Sequence, residues 1–314
     1  MIETSILLQR IKECAHDDTL YLLEKLAYCG GFFVLNGNLL FMVPDTNTCS
    51  SQNIKTEYLR LQTGTYISAF NVSVPSFENG YYNFIELFLA EKDGCVENLS
   101  AFVNLCASYS DNSDKIDFIS FFDSLVTLFQ LPQEQHFKNL VGLFGELSVI
   151  NYFFRNFKED LSKYWHTEGT RSKLDFVSPH INIEVKTTPT EQFIFQIKHD
   201  QIFSNTKETY LAAVSISEDN TGETLNELVA KMLESPDYCN GFNFAINLEA
   251  ERRRVSPNDA INKRFVLKGI KLYKVDNICP FYKVPETISD LSYKFDLAPF
   301  NYEDILIVVN KMFN

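Results

Sequence analysis

The chain lacks several features that assign a protein quickly to a class. No stretch approaches the ~18 consecutive apolar residues of a membrane-spanning helix, so we expect no membrane segment. The seven cysteines include no C-x-x-C pair, which argues against a zinc knuckle or a disulfide framework. The histidines show no zinc-ligand spacing such as H-E-x-x-H, so we expect surface or core positions for His136, His166, His180 and His199. The single tryptophan, Trp165, is interpreted as a packing residue.

Positive charge is also scarce. Lys and Arg number 28 against 41 Asp and Glu, which gives a formal net charge of −13. This balance argues against a protein that coats nucleic acid non-specifically and favours one that acts through partners, although a local basic groove is compatible with it. The N-terminal stretch carries acids early and has no basic start, no long apolar run and no small-residue cleavage site. We therefore expect a cytoplasmic protein.

The length of 314 residues and the abundance of core-building side chains, including 28 Phe and 15 Tyr, suggest two folded domains. Residues 1–130 combine an opening helix, strand-like runs separated by turn residues, and two helical patterns. They predict a smaller mixed α+β domain whose role the sequence leaves unknown. Pro132 cannot continue a helix, and we place the boundary with the second domain, 131–314, at this break.

The second domain begins with a strongly apolar helix, "EQHFKNLVGLFGELSVINYFFRNF". Strands are predicted at "KLDFVS", "NIEVKT", "QFIFQI" and "ETYLAAVSIS", with a short helix at "KHDQIF". A helix at "GETLNELVAKMLE" precedes strand-like runs at "GFNFAINL", "RFVLKGIKLYKV" and "DLSYKFDL", and "YEDILIVVNKMF" closes the chain as a helix. This order predicts an α/β (α+β) fold with a mixed sheet flanked by helices.

Three charged residues interrupt two of these strands. Asp175 lies nine residues before Glu184, and alternation along a strand places Glu184 and Lys186 on one face. Nearby carboxylates repel each other unless a cation lies between them, and Mg²⁺ binds through one or two carboxylates plus waters and phosphates. A nearby lysine can orient or deprotonate the attacking water, or offset charge on a phosphate. The set suits metal-assisted phosphodiester hydrolysis; the alternative is a solvated sheet face with a surface ion pair.

The register of the hairpin decides whether the two acids meet. A turn at Pro179-His180, or a four-residue loop with the same register, pairs Val177 with Asn182 and places Asp175 opposite Glu184. Glu146 adds a third acid from the apolar helix upstream, where a lone carboxylate is costly without a partner. A cation is one such partner; a backbone hydrogen bond or a lysine is the alternative.

These residues resemble the PD-(D/E)XK nuclease superfamily. The motif reads here as Asp175 followed by Glu184-Val185-Lys186, with Leu174 in place of the family proline, and Glu146 matches the helical acid of many members. More narrowly, the chain is similar to a bacterial group called "PD-(D/E)XK motif protein", found among restriction and phage-defence genes. The similarity runs from about residue 133 to 300 and is carried by "LFGEL", "SKLDFV", "IEVKTT", "DQI" and "GIKLYKVDNICPFY".

The resemblance implies a restriction-endonuclease-like core with an Mg²⁺-dependent centre, in which Mn²⁺ can substitute. Asp175 and Glu184 would bind the metal with the Val185 carbonyl, Glu146 would bind directly or through water, and Lys186 would position the nucleophilic water. Gln196 and Lys198, on the next strand, would face the same cleft. Independently of the resemblance, Arg171 and Lys173 precede the motif strand within reach of a phosphate; the alternative is that they are solvated loop charges.

One further segment has the excess of positive charge that would attract a phosphate backbone. Between Arg252 and Lys274 the chain holds many cations and a single acid, Asp259, and begins with Arg252, Arg253 and Arg254. The alternative is a basic segment that balances acids elsewhere or meets an acidic partner.

Together these features predict a metal-dependent DNA endonuclease in a bacterial restriction or anti-phage defence system. One centre of this kind cuts one strand, so double-strand cleavage would require a homodimer or a protein partner from a defence operon. The alternative is a catalytically inactive member that binds nucleic acid or acts as the scaffold of a defence complex.

Overall fold

The computed structural model describes residues 4–14, 18–26, 30–45, 51–68, 72, 78–89, 95–111, 116–129, 137–167, 173–190, 192–199, 207–235, 238–278 and 291–313. The chain forms two compact units, Met1–Pro132 and Gln133–Asn314. That these units are independent domains stays a prediction.

The first unit combines an antiparallel sheet with helices. Its helices are α1 (Thr4–Glu13), α2 (Cys95–Asp111) and α3 (Phe118–Phe129). Its strands are β1 (Tyr21–Lys25), β2 (Gly31–Leu35), β3 (Asn38–Pro44), β4 (Asn53–Lys55), β5 (Leu59–Ile67) and β6 (Gly80–Leu87), in the order β1-β2-β3-β6-β5-β4. Asn36 and Gly37, both with positive φ, form the two-residue turn between β2 and β3, the backbone that an Asn-Gly pair favours.

Strand β3 shows how this sheet is buried. The Phe41 ring lies 5.9 Å from Tyr109 of α2 and 6.2 Å from Phe121 of α3, measured between ring centroids. Leu40 and Met42 alternate with Phe41 and belong to a separate apolar cluster. Helices α2 and α3 therefore pack on one face of the sheet, and apolar residues on the other face form a second layer of core.

The second unit carries the helices α4 (Phe137–Phe157), α5 (Leu225–Leu233), α6 (Phe242–Arg252), α7 (Pro257–Asn262), α8 (Val275–Ile278) and α9 (Ile305–Phe313), and a 3₁₀ helix (Leu161–Tyr164). Its strands are β7 (Phe176–Val177), β8 (Ile181–Thr188), β9 (Ile194–Lys198), β10 (Glu208–Thr224), β11 (Arg264–Lys274) and β12 (Ser292–Asp296). None of the helices in the described ranges is both long and apolar enough to span a membrane.

The main sheet of this unit has the order β11-β10-β8-β7, with β8 and β10 parallel and the other neighbours antiparallel. The predicted mixed sheet is therefore confirmed. Tyr210, Ala212 and Val214 of β10 pack in one core cluster with α4, whereas Leu211 and Ala213 pack in another. That second cluster includes β9 and β12, which form a separate two-stranded ribbon.

One secondary-structure prediction is wrong. The pattern "GFNFAINL" predicts a strand, but from Phe242 the segment forms α6, with Gly241 at the N-cap. Its first residues alternate like a strand, yet the continuation "AINLEAER" is rich in helix formers. Asn247 is buried in the helical arrangement because its amide donates to the carbonyls of Trp165 and His166, at 3.3 and 3.0 Å. The short helix predicted at "KHDQIF" lies outside the described residues from Asp200 onward.

Candidate functional site

The hairpin formed by β7 and β8 positions the charged motif. Val177 pairs with Asn182, which is the predicted register. The Ser178 side chain closes the turn: its hydroxyl donates to the Ile181 carbonyl at 2.8 Å and accepts from the Ile181 N–H at 3.0 Å. The chain thus turns tightly enough to bring Asp175, immediately before β7, alongside β8.

Asp175 lies just beyond the last described pair between the two strands, Phe176 with Ile183. Its Oδ2 accepts a hydrogen bond of 2.6 Å from the Val185 N–H, so the side chain supplies an acceptor where the pairing with β7 has ended. Burial raises the pKa of the Asp175 carboxyl well above its usual range, and the charges of Glu146 and Glu184 raise it further. A half-buried acid with a raised pKa is stabilised in its ionised form by a nearby cation.

Glu184 and Lys186 form a buried ion pair, with Lys186 Nζ 2.5 Å from Glu184 Oε1. The second oxygen of Glu184, Oε2, is buried and makes no hydrogen bond with the described residues. Burial raises the pKa of Glu184 to about 7 even though Lys186 opposes the shift. Burial alone would lower the pKa of Lys186, but the adjacent Glu184 carboxylate raises it overall, so Lys186 keeps its proton at neutral pH.

Helix α4 brings Glu146 to the same region because it packs closely on β8. A Cβ added at Gly145 would lie 1.8 Å from the Thr187 hydroxyl oxygen, so only glycine permits this approach. Glu146 Oε2 accepts a hydrogen bond of 2.8 Å from the Trp165 indole N–H. Trp165 is 1% exposed, which confirms it as a packing residue and adds an orienting hydrogen bond that the sequence did not predict.

His166 completes the cluster, and the sequence predicts only an ordinary surface or core position for it. The segment that carries it pairs with β7: Trp165 bridges Phe176, and the His166 N–H donates to the Asp175 carbonyl at 2.9 Å. His166 Nε2 lies 3.2 Å from Glu146 Oε2. Burial by itself would lower the pKa of His166, but Glu146, with smaller contributions from Glu251 and Glu184, raises it overall.

Three side chains in the described ranges have the arrangement of a metal site. Three potential ligand atoms lie within 4.8 Å of one another, one each from Glu146, His166 and Asp175. The donor set fits a divalent cation, since it offers two carboxylates and an imidazole whose ring nitrogens make no hydrogen bond with the described residues. Glu184 is outside this group of three, but its charge acts on Asp175 and its buried Oε2 has an unused acceptor.

These pKa shifts predict that cations and protons compete for the site. Without a cation, folded Asp175 and Glu184 hold protons that the unfolded chain releases near its ordinary carboxyl pKa of about 4. The stability that these two groups contribute therefore falls as pH rises from about 4 through the folded pKa of about 7 for Glu184.

The affinity of the site for a divalent cation should rise between about pH 6 and about pH 8. Calorimetry in buffers of different ionisation enthalpy should detect more protons released on cation binding at the lower pH. Glu184→Gln should reduce this dependence but not remove it, because the pKa values of Asp175 and His166 are also raised. An identical profile in the variant would contradict a contribution of Glu184.

The remaining predicted residues near the motif are not brought into this cluster. Gln196 and Lys198 are exposed on β9 and alternate with Phe195 and Ile197, which are buried in the cluster against β10. Lys173 is exposed shortly before β7, and Arg171 lies outside the described residues. Contacts of these side chains with nucleic acid stay predictions, as does a role for the Val185 carbonyl.

The basic segment is largely paired with acids. Arg252 and Arg254, at the end of α6, lie 3.9 Å from Glu249 and 3.0 Å from Glu251. Further along, Lys263 and Arg264 contact Glu218 and Glu227, at 2.8 and 2.6 Å. These pairs favour the alternative that the segment balances neighbouring acids, and any phosphate would have to compete with them.

Sequence reasoning missed His166 and Asn247 as contributors to the site. Neither belongs to a spaced motif, since His166 is nine residues before Asp175 and Asn247 is on a helix predicted as a strand. The available signal was local: a histidine directly follows the only tryptophan, between an acid-bearing helix and the motif strand.

Comparison with known families supports the same region. A family model described as "Putative PD-(D/E)XK family member, (DUF4420)" matches residues 103–298, more than half of the chain. The match includes α4, the strands of the motif and β10, and it begins within α2 of the first unit. No curated protein and no solved structure matches the chain.

Proposed function

Since the chain belongs to the PD-(D/E)XK family, we propose that it is a metal-dependent nuclease that cleaves DNA by phosphodiester hydrolysis. The observation that carries the proposal is the convergence of Glu146, Asp175 and His166 beside the Glu184–Lys186 pair. Carboxyls with raised pKa values that lie close together, as Asp175 and Glu184 do, are typical of functional sites.

The acidic side chains and the lysine of the cluster have different proposed roles. Asp175 and Glu146 would hold the cation, and Glu184, whose Oε1 contacts Lys186, would have its Oε2 available for the same ion. A divalent cation held there supplies positive charge to the phosphate and lowers the pKa of a bound water. Lys186, whose pKa the adjacent Glu184 carboxylate raises, would act by orienting the attacking water and offsetting charge on the phosphate.

The direct test is cleavage of linear, circular and single-stranded DNA with Mg²⁺ or Mn²⁺. We expect cleavage that chelation abolishes and that added cation restores. Each substrate is tested with the purified protein alone and with products of neighbouring genes, since a homodimer or a defence-system partner is proposed for double-strand cutting. RNA is the matched control substrate. Absence of cation-dependent cleavage under all of these conditions would favour the scaffold alternative.

DNA binding by the basic segment has a separate test. Changing Arg252, Arg253 and Arg254 to Ala should weaken DNA affinity and reduce the salt dependence by a slope of about 0.9 for each phosphate that the variant no longer binds. Glu249→Gln should strengthen DNA affinity, because it removes an acid that lies 3.9 Å from Arg252. Fluorescence anisotropy across a salt series measures both variants. An unchanged slope would show that these arginines pair with neighbouring acids and do not contact the DNA phosphates.

A further inference from the structure

The ring of His166 is buried beside Glu146, with which it forms an ion pair, but neither ring nitrogen makes a well-aligned hydrogen bond with a described residue. His166 is 8% exposed, and in the described ranges neither Nδ1 nor Nε2 makes a hydrogen bond, although Nε2 lies 3.2 Å from Glu146 Oε2. Buried polar groups are usually satisfied, because leaving one unpaired costs free energy. Next to two carboxylates, an imidazole that releases its proton has the lone pair that a metal ligand needs.

The backbone holds His166 in an uncommon conformation at this place. Its φ is 47°, in the left-handed region that residues other than glycine rarely adopt. The conformation is maintained from two sides: the His166 N–H donates to the Asp175 carbonyl, and the Asn247 amide donates to the His166 carbonyl. Strained backbone that the surrounding structure maintains is a feature of functional sites. Here it places the ring within 4.8 Å of ligand atoms from Glu146 and Asp175.

We propose that His166 is a direct ligand of the cation and that the centre takes a first-row transition ion such as Mn²⁺ in preference to Mg²⁺. Mg²⁺ is bound through oxygen and keeps most of its waters, whereas imidazole nitrogen suits transition ions. The Trp165 indole supports this ligand set, because its hydrogen bond to Glu146 Oε2 orients a carboxylate that His166 also faces. This inference deepens the proposed function, since it concerns the cation of the same centre.

The test uses the full chain, with Mn²⁺ as the probe. Electron spin echo spectra of the Mn²⁺-loaded wild type should show modulation from a directly bound ¹⁴N nucleus, and His166→Ala should lose it. Calorimetry should give tighter binding of Mn²⁺ than of Mg²⁺ in the wild type, and a loss of Mn²⁺ affinity of at least about 10-fold in His166→Ala. His180→Ala is the matched control, because His180 is exposed in the β7–β8 turn and should leave both measurements unchanged.

Two further measurements keep the outcome clear. Thermal melts and a second variant, His166→Asn, separate loss of a ligand from loss of folding, since both variants must lose the ¹⁴N modulation while remaining folded. Wild-type Mn²⁺ spectra without ¹⁴N modulation would overturn the proposal, as would equal losses of Mn²⁺ and Mg²⁺ affinity in both variants. A nitrogen-coupled spectrum without DNA cleavage would refute the nuclease function and leave the ligand assignment standing. DNA cleavage without nitrogen coupling would support the nuclease function and refute the assignment of His166 as a ligand.

Discussion

Asp175→Asn should abolish DNA cleavage and greatly weaken cation binding, whereas Lys186→Ala should abolish cleavage and leave cation binding nearly intact. Asn keeps the shape of the side chain and an oxygen that can accept the 2.6 Å hydrogen bond from the Val185 N–H, but it lacks the charge that a divalent cation requires. Lys186→Ala keeps all the acids and removes the group that neutralises charge near the phosphate. We expect each variant to lose at least about 100-fold in cleavage rate.

Stability should separate the two variants as well. Asp175→Asn removes a half-buried carboxyl whose pKa is raised by desolvation and by the charges of Glu146 and Glu184, so the cation-free variant should melt no lower than the wild type. Lys186→Ala leaves Glu184 buried without its cationic partner, which costs on the order of 3 kcal/mol when Glu184 is ionised. Because Lys186 lowers the pKa of Glu184, its removal should raise that pKa further, and the cost should shrink as pH falls and the carboxyl takes up a proton.

The measurements are single-turnover cleavage, calorimetric cation titration, and thermal melts at about pH 6 and about pH 8. Lys186→Met, which keeps the apolar stem, is the matched control for reduced packing. Retained cleavage in folded, purified Asp175→Asn and Lys186→Ala would exclude the nuclease assignment. Equal losses of cation affinity in the two variants would instead contradict the division of roles between them.

Gly145→Ala should destabilise the second unit by about 3 kcal/mol and displace Glu146, although alanine is the better helix former. The added Cβ would lie 1.8 Å from Thr187 Oγ1 and 2.8 Å from both Thr187 Cβ and Cγ2, and Thr187 is a branched side chain in a strand with little freedom to move. Helix α4 would have to shift away from β8. A displacement of about 1 Å at catalytic groups is enough to cost roughly 100-fold in rate.

Gly142→Ala on the same helix is the matched control. A Cβ at Gly142 meets nothing within 4 Å, so this change should stabilise the protein by up to about 1 kcal/mol through helix propensity alone. Thr187→Ala removes Thr187 Oγ1 and Cγ2, two of the three atoms that the added Cβ would approach. In that background the loss of stability from Gly145→Ala should be smaller by at least about 0.5 kcal/mol. Denaturant unfolding of the four Gly145/Thr187 combinations measures this coupling. Additive effects would show that α4 does not depend on close contact with Thr187.

The elements of the motif could be predicted from sequence because they depend on local pattern. Alternation along "NIEVKT" places Glu184 and Lys186 together, and the turn after Val177 sets a register that the structure shows. The apolar period of α4 predicted a buried helix with Glu146 on it. The prediction of a strand at "GFNFAINL" was wrong because a short alternating run is followed by a longer helix-forming segment. The burial of Asn247 could not be predicted because it depends on a hydrogen bond to a carbonyl far away in the chain.

The sequence by itself determined the strands and helices of the motif, the acidic and lysine side chains available to it, and the scarcity of positive charge. Only the tertiary structure decided which side chains share the site. Packing of Gly145 on Thr187 brings Glu146 to the hairpin, and pairing of the Trp165–His166 segment with β7 adds an imidazole that no spacing predicted. It also decided that Gln196 and Lys198 are exposed on a separate ribbon. The physical reason is that alternation and helical period act between neighbours in the chain, whereas ligand sets form from contacts between segments far apart in it.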